Sequence, residues 1–489
     1  MVMTGKSAQG NDATPEGLRS AAISGWPAAA LALAIVAVAQ LLVATRNGSE
    51  PGLHLNRPYA ADFWYYAGLA RAVWLRFPPH NPAFAGVPLT QYSFHLAPVG
   101  ALAPLVGPYL AMRLLNVVYA ALFLILLRRY FPRHFGVIAL CVFATARGAY
   151  RINPLSVDLV TRGFHHLPFF FALLPALFER RRPWARAGAL FALPWLHGLM
   201  VLSFGLPVVY ACLRSNARQL GWFAGGFILA ALGVLWASEG RGGDKILGSL
   251  GFRPGEALLH LVPLACGLWL IRKPLLWLMA AASLALATLI EFNLFYFVFP
   301  LDFALAVSAA LAMHSHREGA ARLMRVCVVA GGVFFVAGMT RQFGEAAPYN
   351  RQRVEASLKW IQENTPSRAV FLQAAPPPEF RATDDYYRAE GMGYWLLEHR
   401  DLYVGDFYWA EDLGLPGMVR AIAAERFLLG KGPLPEGVDY VFCGPQEQWF
   451  LSDKGGFQGR GVSLVYQDPF VSIYRRRASQ PGNGTGSAE

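Results

Sequence analysis

The residues best suited to chemistry fall in two stretches. The first reads NRPYAADFWYYAGLARAVWLRFPPHNPAFAGVPLTQYSFH, residues 56–95, and holds Asp62, His80, Tyr92 and His95 among many aromatics. A carboxylate half-shielded by Phe63, Trp64 and Tyr65 would have its ionisation tuned by burial, which suits a general base. Asp62 also opens a run with helical spacing, so a helix N-cap is the plainer alternative. The second stretch, ARGAYRINPLSVDLVTRGFHHLP at 146–168, holds Arg151, Asp158, Arg162, His165 and His166. Arginine presents a planar fork of donors that matches phosphate oxygens, so this stretch reads as an anion site; contact with lipid headgroups is the alternative. Arg113, His197 in LPWLHGLM and Glu291 in LIEFNLF sit near the ends of apolar runs. An ionisable group there is a functional candidate by default, although a lone histidine also serves as a structural donor.

Other chemistries lack their residues. The five cysteines form no CxxC pair, and four lie within apolar runs, which argues against a disulfide framework and a cysteine zinc site. His165 and His166 would face different ways on a helix and make a poor metal pair. GGDK and GKGP lack the strand-to-helix context of a nucleotide loop. No metal site is expected, no cofactor is required, and a divalent metal is not favoured.

The elements that must position these residues are membrane-type. The chain has 489 residues, 55% hydrophobic and only 15% charged, with mean hydropathy +0.34; soluble proteins carry about 25% charged residues. The net charge of +12 sits in short clusters between apolar runs, which fits positive-inside topology and not nucleic-acid binding. Apolar runs lie near 24–45, 109–127, 135–147, 165–178, 187–197, 199–213, 220–237, 256–271, 274–290, 293–313 and 323–340. Several are short and interrupted by Pro or Gly, as in a bundle that encloses a cavity. Placing residues 1–20 in the cytoplasm puts RRYFPRH, ERRRPWAR, RSNAR, RK and HSHREGAAR on one side, provided 92–106 lies on the outer surface without crossing. About eleven spans result, with the N-terminus inside and the C-terminus outside. The first run reads as a retained anchor, not a cleaved signal.

Four regions follow: a disordered cytoplasmic N-terminus (1–22), a transmembrane domain (23–340) with a long first outer loop (46–108), an extracytoplasmic α/β domain (341–477) and a disordered tail (478–489). In the third region, YNRQRVEASLKWIQEN places Val354, Leu358 and Ile361 on one helical face. RAVFLQAA and VDYVFCG read as buried strands, VSLVYQDPFVSIYRR as a hairpin around Asp468–Pro469, and PGMVRAIAAERFLLG as a helix.

This order of parts resembles the GT-C superfamily of polytopic glycosyltransferases. The resemblance rests on AADFWYYAGLARA after the first span and on PPHNPAFAGVPLTQYSFH leading to a surface helix. INPLSVDLV in a second outer loop, PWLHG at a turn, and LKWIQENTPSRAVFLQ, GVDYVFCGPQEQ and VYQDPFVSIYR near the C-terminus complete it. The run NPAFAGVPLTQYSFH is similar to bacterial members of unassigned substrate. The resemblance implies a mainly α, polytopic fold and transfer of a sugar from a polyprenyl-phosphate carrier to a hydroxyl of a lipid, glycan or protein, with membrane lipids as surroundings and no nucleic acid. It matches Asp62 to the first-loop acid that activates the acceptor and Asp158 to a second-loop acid that helps position substrate. Phe63 follows Asp62 where members often carry a second acid, which counts against a metal pair. No WWDYG-type segment is present, which disfavours transfer of whole glycans to Asn. A catalytically inactive GT-C-like subunit of envelope polysaccharide assembly is the alternative. A transporter is the weaker rival, since no internal repeat is visible and charges gather at the outer surface.

Overall fold

The computed structural model describes residues 15–45, 66–72, 80–87, 94–145, 149–150, 153–162, 167–196, 205–214, parts of 219–232, 273–289, 294–313, 318–344, 352–374, 395–405, 417–444, 447, 457 and 460–477. The chain is mainly helical, with a small sheet near its C-terminus. Among the described residues three helical segments are long and apolar enough to cross a membrane: Gly25–Ala44, Pro108–Tyr130 and Ala321–Thr340. Shorter apolar helices accompany them, among them Phe135–Ala144, Leu167–Phe178 and Pro300–Ala312.

Helix α1 (Pro15–Thr45) begins inside the stretch expected to be disordered. Pro at a first helical position has no amide to leave unpaired, and the following residues are good helix formers. Its inner stripe is small: Ala29, Ala32, Val36, Ala39 and Val43 are all buried. Small residues let backbones approach closely where water supplies no hydrophobic drive between helices. Against α1 lies Phe135–Ala144, where a Cβ on Gly136 would overlap the Gly25 carbonyl. The outer face of Pro108–Tyr130 carries Leu110, Leu114, Val118, Leu122 and Ile125, all exposed at a helical repeat that suits lipid.

Helix α2 (Ala97–Val106) has ten residues and a largely exposed apolar surface, with Leu105 79% exposed. At 1.5 Å per residue it is about 15 Å long, half of a hydrocarbon core of roughly 30 Å. Gly107, at φ +81°, turns the chain into α3 (Pro108–Tyr130). The bundle continues through α4 (Phe135–Ala144), α5 (Leu155–Arg162), α6 (Leu167–Phe178), α7 (Pro183–Leu196), α8 (Gly205–Leu213), α9 (Pro274–Leu289), α10 (Leu294–Ala312) and α11 (Glu318–Gly344). A two-stranded ribbon, β1 (Ala149–Tyr150) with β2 (Asn153–Pro154), leads into α5.

Beyond α11, α12 (Gln352–Asn364) buries Val354, Leu358 and Ile361, the face its spacing predicts. Five strands form one sheet in the order β4-β3-β5-β7-β6. Strand β3 (Val370–Leu372) lies parallel to β4 (Asp401–Leu402) and to β5 (Tyr440–Cys443), whose residues are all buried. Strands β6 (Val462–Gln467) and β7 (Ser472–Arg476) form the expected hairpin. Asp468 closes its turn, accepting the Phe470 and Val471 amides at 2.7 Å each. Helix α13 (Gly417–Leu428) packs its Ala421, Ala424 and Phe427 into the core.

Candidate functional site

Three features bring together residues that sequence reasoning singled out. The first is a buried polar knot inside the bundle. Arg113, 2% exposed, donates through Nη1 to the Thr161 carbonyl at 2.5 Å and to Gln40 Oε1 at 3.4 Å. Gln40 Nε2 donates to the Val160 and Thr161 carbonyls at 2.6 and 3.1 Å, and Asn116 Nδ2 donates to Gln40 Oε1 at 3.2 Å. The Arg113 guanidinium also lies over the Tyr109 ring at 4.9 Å. Carbonyls in the last turn of a helix have no partner within it. The knot therefore anchors the C-terminal end of α5, the helix that carries Asp158 and Arg162. In these contacts Arg113 is a positioning residue for the second outer stretch.

The second feature is a groove along the bundle, about 550 Å³ in volume. His95, Tyr119 and Phe171 line one part of it, and Arg129, Glu179 and Arg182 another. The Tyr119 hydroxyl donates to the His95 carbonyl at 2.9 Å, which fixes the entry into α2. At the basic part, Glu179 sits in the turn between α6 and α7, takes the amides of Arg181 and Arg182, and pairs with Arg129. Burial pushes the Glu179 carboxyl up, but these amides and the Arg129 guanidinium outweigh it and hold its pKa below the usual range. Between those parts the walls are apolar, with Pro168, Ala172, Pro175, Ala189 and Leu196 among them. The apolar stretch suits a hydrocarbon chain, and the polar groups gather toward the parts lined by His95 and Tyr119 and by Arg129, Glu179 and Arg182.

The third feature joins the first loop to the sheet. His80 Nε2 lies 2.5 Å from Asp401 Oδ2, and Arg71 Nη2 donates to Asp401 Oδ1 at 2.6 Å. Backbone bonds reinforce the junction. The Leu402 amide donates to the Pro82 carbonyl at 2.7 Å, the Ala85 amide to the Leu402 carbonyl at 2.8 Å, and the Gly405 amide to the Ala83 carbonyl at 2.8 Å. The loop thus extends the β4 edge of the sheet. Burial raises the Asp401 pKa, yet the His80 hydrogen bond and the Arg71 charge prevail and hold it below its ordinary value. Arg420 adds a further tie, donating through Nη1 to the Ala85 and Tyr403 carbonyls at 2.9 and 2.8 Å. Above this junction opens a cleft of about 440 Å³.

Of the candidates named from sequence, Arg113 belongs to the knot, His95 to the groove and His80 to the loop–sheet junction. Asp158 and Arg162 lie on α5, and their side chains are outside the described residues, as are Asp62, Tyr92, Arg151, His165, His166, His197 and Glu291 altogether. Among the described residues no group of three or more His, Cys, Asp or Glu side chains could hold a metal ion. Sequence reasoning passed over Gln40, Arg71, Asp401 and Arg420. Gln40 had a signal, as the one amide side chain of the apolar run 24–45; the other three depend on pairing between distant segments.

No family model matches the chain, and no curated protein does. Among solved structures it is similar to ArnT from Cupriavidus metallidurans bound to undecaprenyl phosphate, with a TM-score of 0.50 and 13% identity over 92% of this chain and 98% of that one. The apo structure of the same protein gives a TM-score of 0.45 at 12% identity, covering 84% of this chain and 92% of that one. At such identity the likeness is one of fold, and it spans nearly the whole of both chains. The chain thus shares its fold with ArnT, in keeping with the likeness of fold that its order of parts suggested.

Proposed function

We propose that this chain is a glycosyltransferase of the cytoplasmic membrane that moves a sugar from a polyprenyl-phosphate carrier to a hydroxyl acceptor on its outer face. The observation that carries this reading is the near full-length likeness of fold to a protein crystallised with undecaprenyl phosphate. The apolar groove supports it, because a chain of isoprene units needs such a wall-lined channel beside the bundle. The basic turns support the orientation, since RRYFPRH and ERRRPWAR fall on one side with the N-terminus.

The chemistry is a single displacement at the anomeric carbon. The acceptor oxygen forms a bond to that carbon as the bond to the carrier phosphate breaks. Asp62 takes the acceptor proton, and the polyprenyl phosphate leaves with the bonding electron pair. Arg151 and Arg162 hold the departing phosphate. Asp158, His165, His166, Tyr92, His95, His197 and Glu291 are candidates for contacts to sugar and carrier, while Arg113 anchors α5 and His80 fixes the first loop to the sheet. One observation favours an inactive scaffold instead: Phe63 stands beside Asp62, where an enzyme with paired acids would have a second carboxylate.

The deciding experiment is transfer from a radiolabelled polyprenyl-phosphate sugar by purified protein in lipid. Wild type transfers label, and Asp62→Asn inserts normally but loses about 10²–10⁴-fold in rate, the usual worth of a general base. Equal product from that variant removes Asp62 from the mechanism. No transfer by wild type from a panel of such donors leaves the scaffold reading.

A further inference from the structure

The cleft above the loop–sheet junction has no part in the proposed displacement, and its lining has a chemistry of its own. It is built at the N-terminal ends of the three parallel strands, from Arg71, His80 and Gly86 on the loop side and Arg368, Arg420 and Glu436 on the sheet side. A volume of about 440 Å³ falls within the range of small-molecule sites, roughly 300–1,000 Å³. Gly86 and Gly437 both have φ +79°, and a Cβ on either would meet nothing within 4 Å, so the space beside them is open.

The charges of this cleft do not balance internally. Asp401 is shared between Arg71 and His80. Arg420 is pinned by two neutral carbonyls and stacked 5.0 Å from the Tyr403 ring, and among the described residues it pairs with no carboxylate. Burial lowers its pKa, a sign that its charge has lost water without gaining an anion. Arg368 is exposed at the rim and forms no ion pair among the described residues, and Glu436 is the one rim acid among the described lining residues. His80, 9% exposed, is committed through Nε2 to Asp401 and holds that carboxylate away from Arg420 and Arg368. A fixed guanidinium and a second at the rim supply the forked donors an oxyanion requires.

We infer that this cleft binds an oxyanion, a phosphate or carboxylate group, borne either by a soluble sugar derivative or by a lipid headgroup. The inference does not depend on the proposed transfer. The loop–sheet clamp holds Arg420 in place before any ligand arrives, and at the rim Arg368 attracts an anion while Glu436 opposes it.

The test uses the full chain in nanodiscs of neutral lipid, with inorganic phosphate as the probe and calorimetric titration as the readout. Wild type binds phosphate saturably, and raising the salt weakens binding. Arg368→Gln weakens it about 3–10-fold, as expected for one partly shielded ion pair, and Glu436→Gln tightens it by a similar factor. Both side chains lie at the exposed rim, so neither change threatens the fold; an unchanged thermal midpoint checks this. A second arm repeats the titration in nanodiscs containing phosphatidylglycerol. Loss of apparent phosphate affinity there identifies a headgroup as the source of the anion, and unchanged affinity identifies a soluble one. Absence of saturable binding in neutral nanodiscs, or affinity unmoved by both substitutions, overturns the inference. Transfer activity that persists without phosphate binding would sink this site alone, whereas binding without any transfer would sink only the glycosyltransferase reading.

Discussion

His80 and Asp401 stand 321 residues apart in sequence and touch at 2.5 Å in the fold. With Arg71 on its other oxygen, Asp401 is the rivet between the first loop and the C-terminal sheet. Asp401→Asn leaves a guanidinium beside a neutral amide in a buried place. Breaking one partner of such a pair costs about 3 kcal/mol. Thermal unfolding of the purified variant shows a lowered midpoint, and limited proteolysis cuts first near residues 72–94. The pH dependence has a defined sign. The folded pKa is depressed, so the stabilisation is complete above the unfolded value of about 3.9 and is lost as pH falls through the lower folded value. The gap between wild type and variant is therefore constant from pH 5 to pH 8 and closes only in strong acid.

Arg113→Met removes the shorter of the two donors to the Thr161 carbonyl, leaving the Gln40 amide bonded to it at the end of α5. The expected result is normal insertion with transfer reduced at least tenfold. Arg113→Lys keeps a charge and one donor and recovers part of the rate. Equal rates for the Met variant and wild type would show that α5 keeps its place without the knot.

Gly188 and Gly136 give opposite outcomes for the same residue type. A Cβ at Gly188, in the groove, meets nothing within 4 Å, whereas one at Gly136 overlaps the Gly25 carbonyl. Gly188→Trp fills the groove, so long polyprenyl donors show a raised KM while donors with one or two isoprene units are spared. Gly136→Ala forces α1 and α4 apart, and size-exclusion profiles of the detergent extract show aggregate in place of a monodisperse peak. A well-behaved Gly136→Ala protein would mean that the two helices need not pack so closely.

Glu447 is a buried acid at the C-terminal ends of β3 and β5, taking the Ala374 and Gly444 amides at 2.7 and 2.9 Å. Burial pushes its pKa up to about 7, against the pull of those amides. A raised folded pKa means that its contribution is greatest below the unfolded value of about 4.3 and is lost as pH climbs through 7. The thermal midpoint of wild type should fall between pH 5 and pH 8. Glu447→Gln points an amide N–H₂ at one backbone donor, so it starts lower at pH 5 and then stays flat across that range. A wild-type profile as flat as the variant's would show that Glu447 is ionised throughout.

The sequence was legible where one local rule decides the outcome. Tyr440–Cys443 is a short run of apolar and aromatic residues and folds as the fully buried strand such a run predicts. Val354, Leu358 and Ile361 recur at helical spacing and all point inward. Asp468–Pro469 marks the hairpin because Asp accepts amides two and three residues on. Arg113 stood out as a charge beside an apolar run, but local pattern cannot tell a helix anchor from a phosphate ligand; only the Thr161 carbonyl does. Asp401 and Arg71 carry no periodicity that links them, because their meeting depends on how the first loop lies against the sheet. Glu447 reads from GPQEQ as a solvated loop acid, and nothing nearby in sequence reports the strand ends that bury it.

The loop-to-β4 pairing has a consequence for how the protein is made. Residues 82–85 take their backbone partners from residues 402–405, which leave the ribosome some 320 residues later. At about 5–20 residues per second, the loop waits on the order of half a minute, exposed and unpaired, while the intervening segments are synthesised. Maturation therefore ends with the C-terminal strands arriving from the last part of the chain to be translated, and a nonsense codon anywhere before residue 401 strands the first loop without its edge.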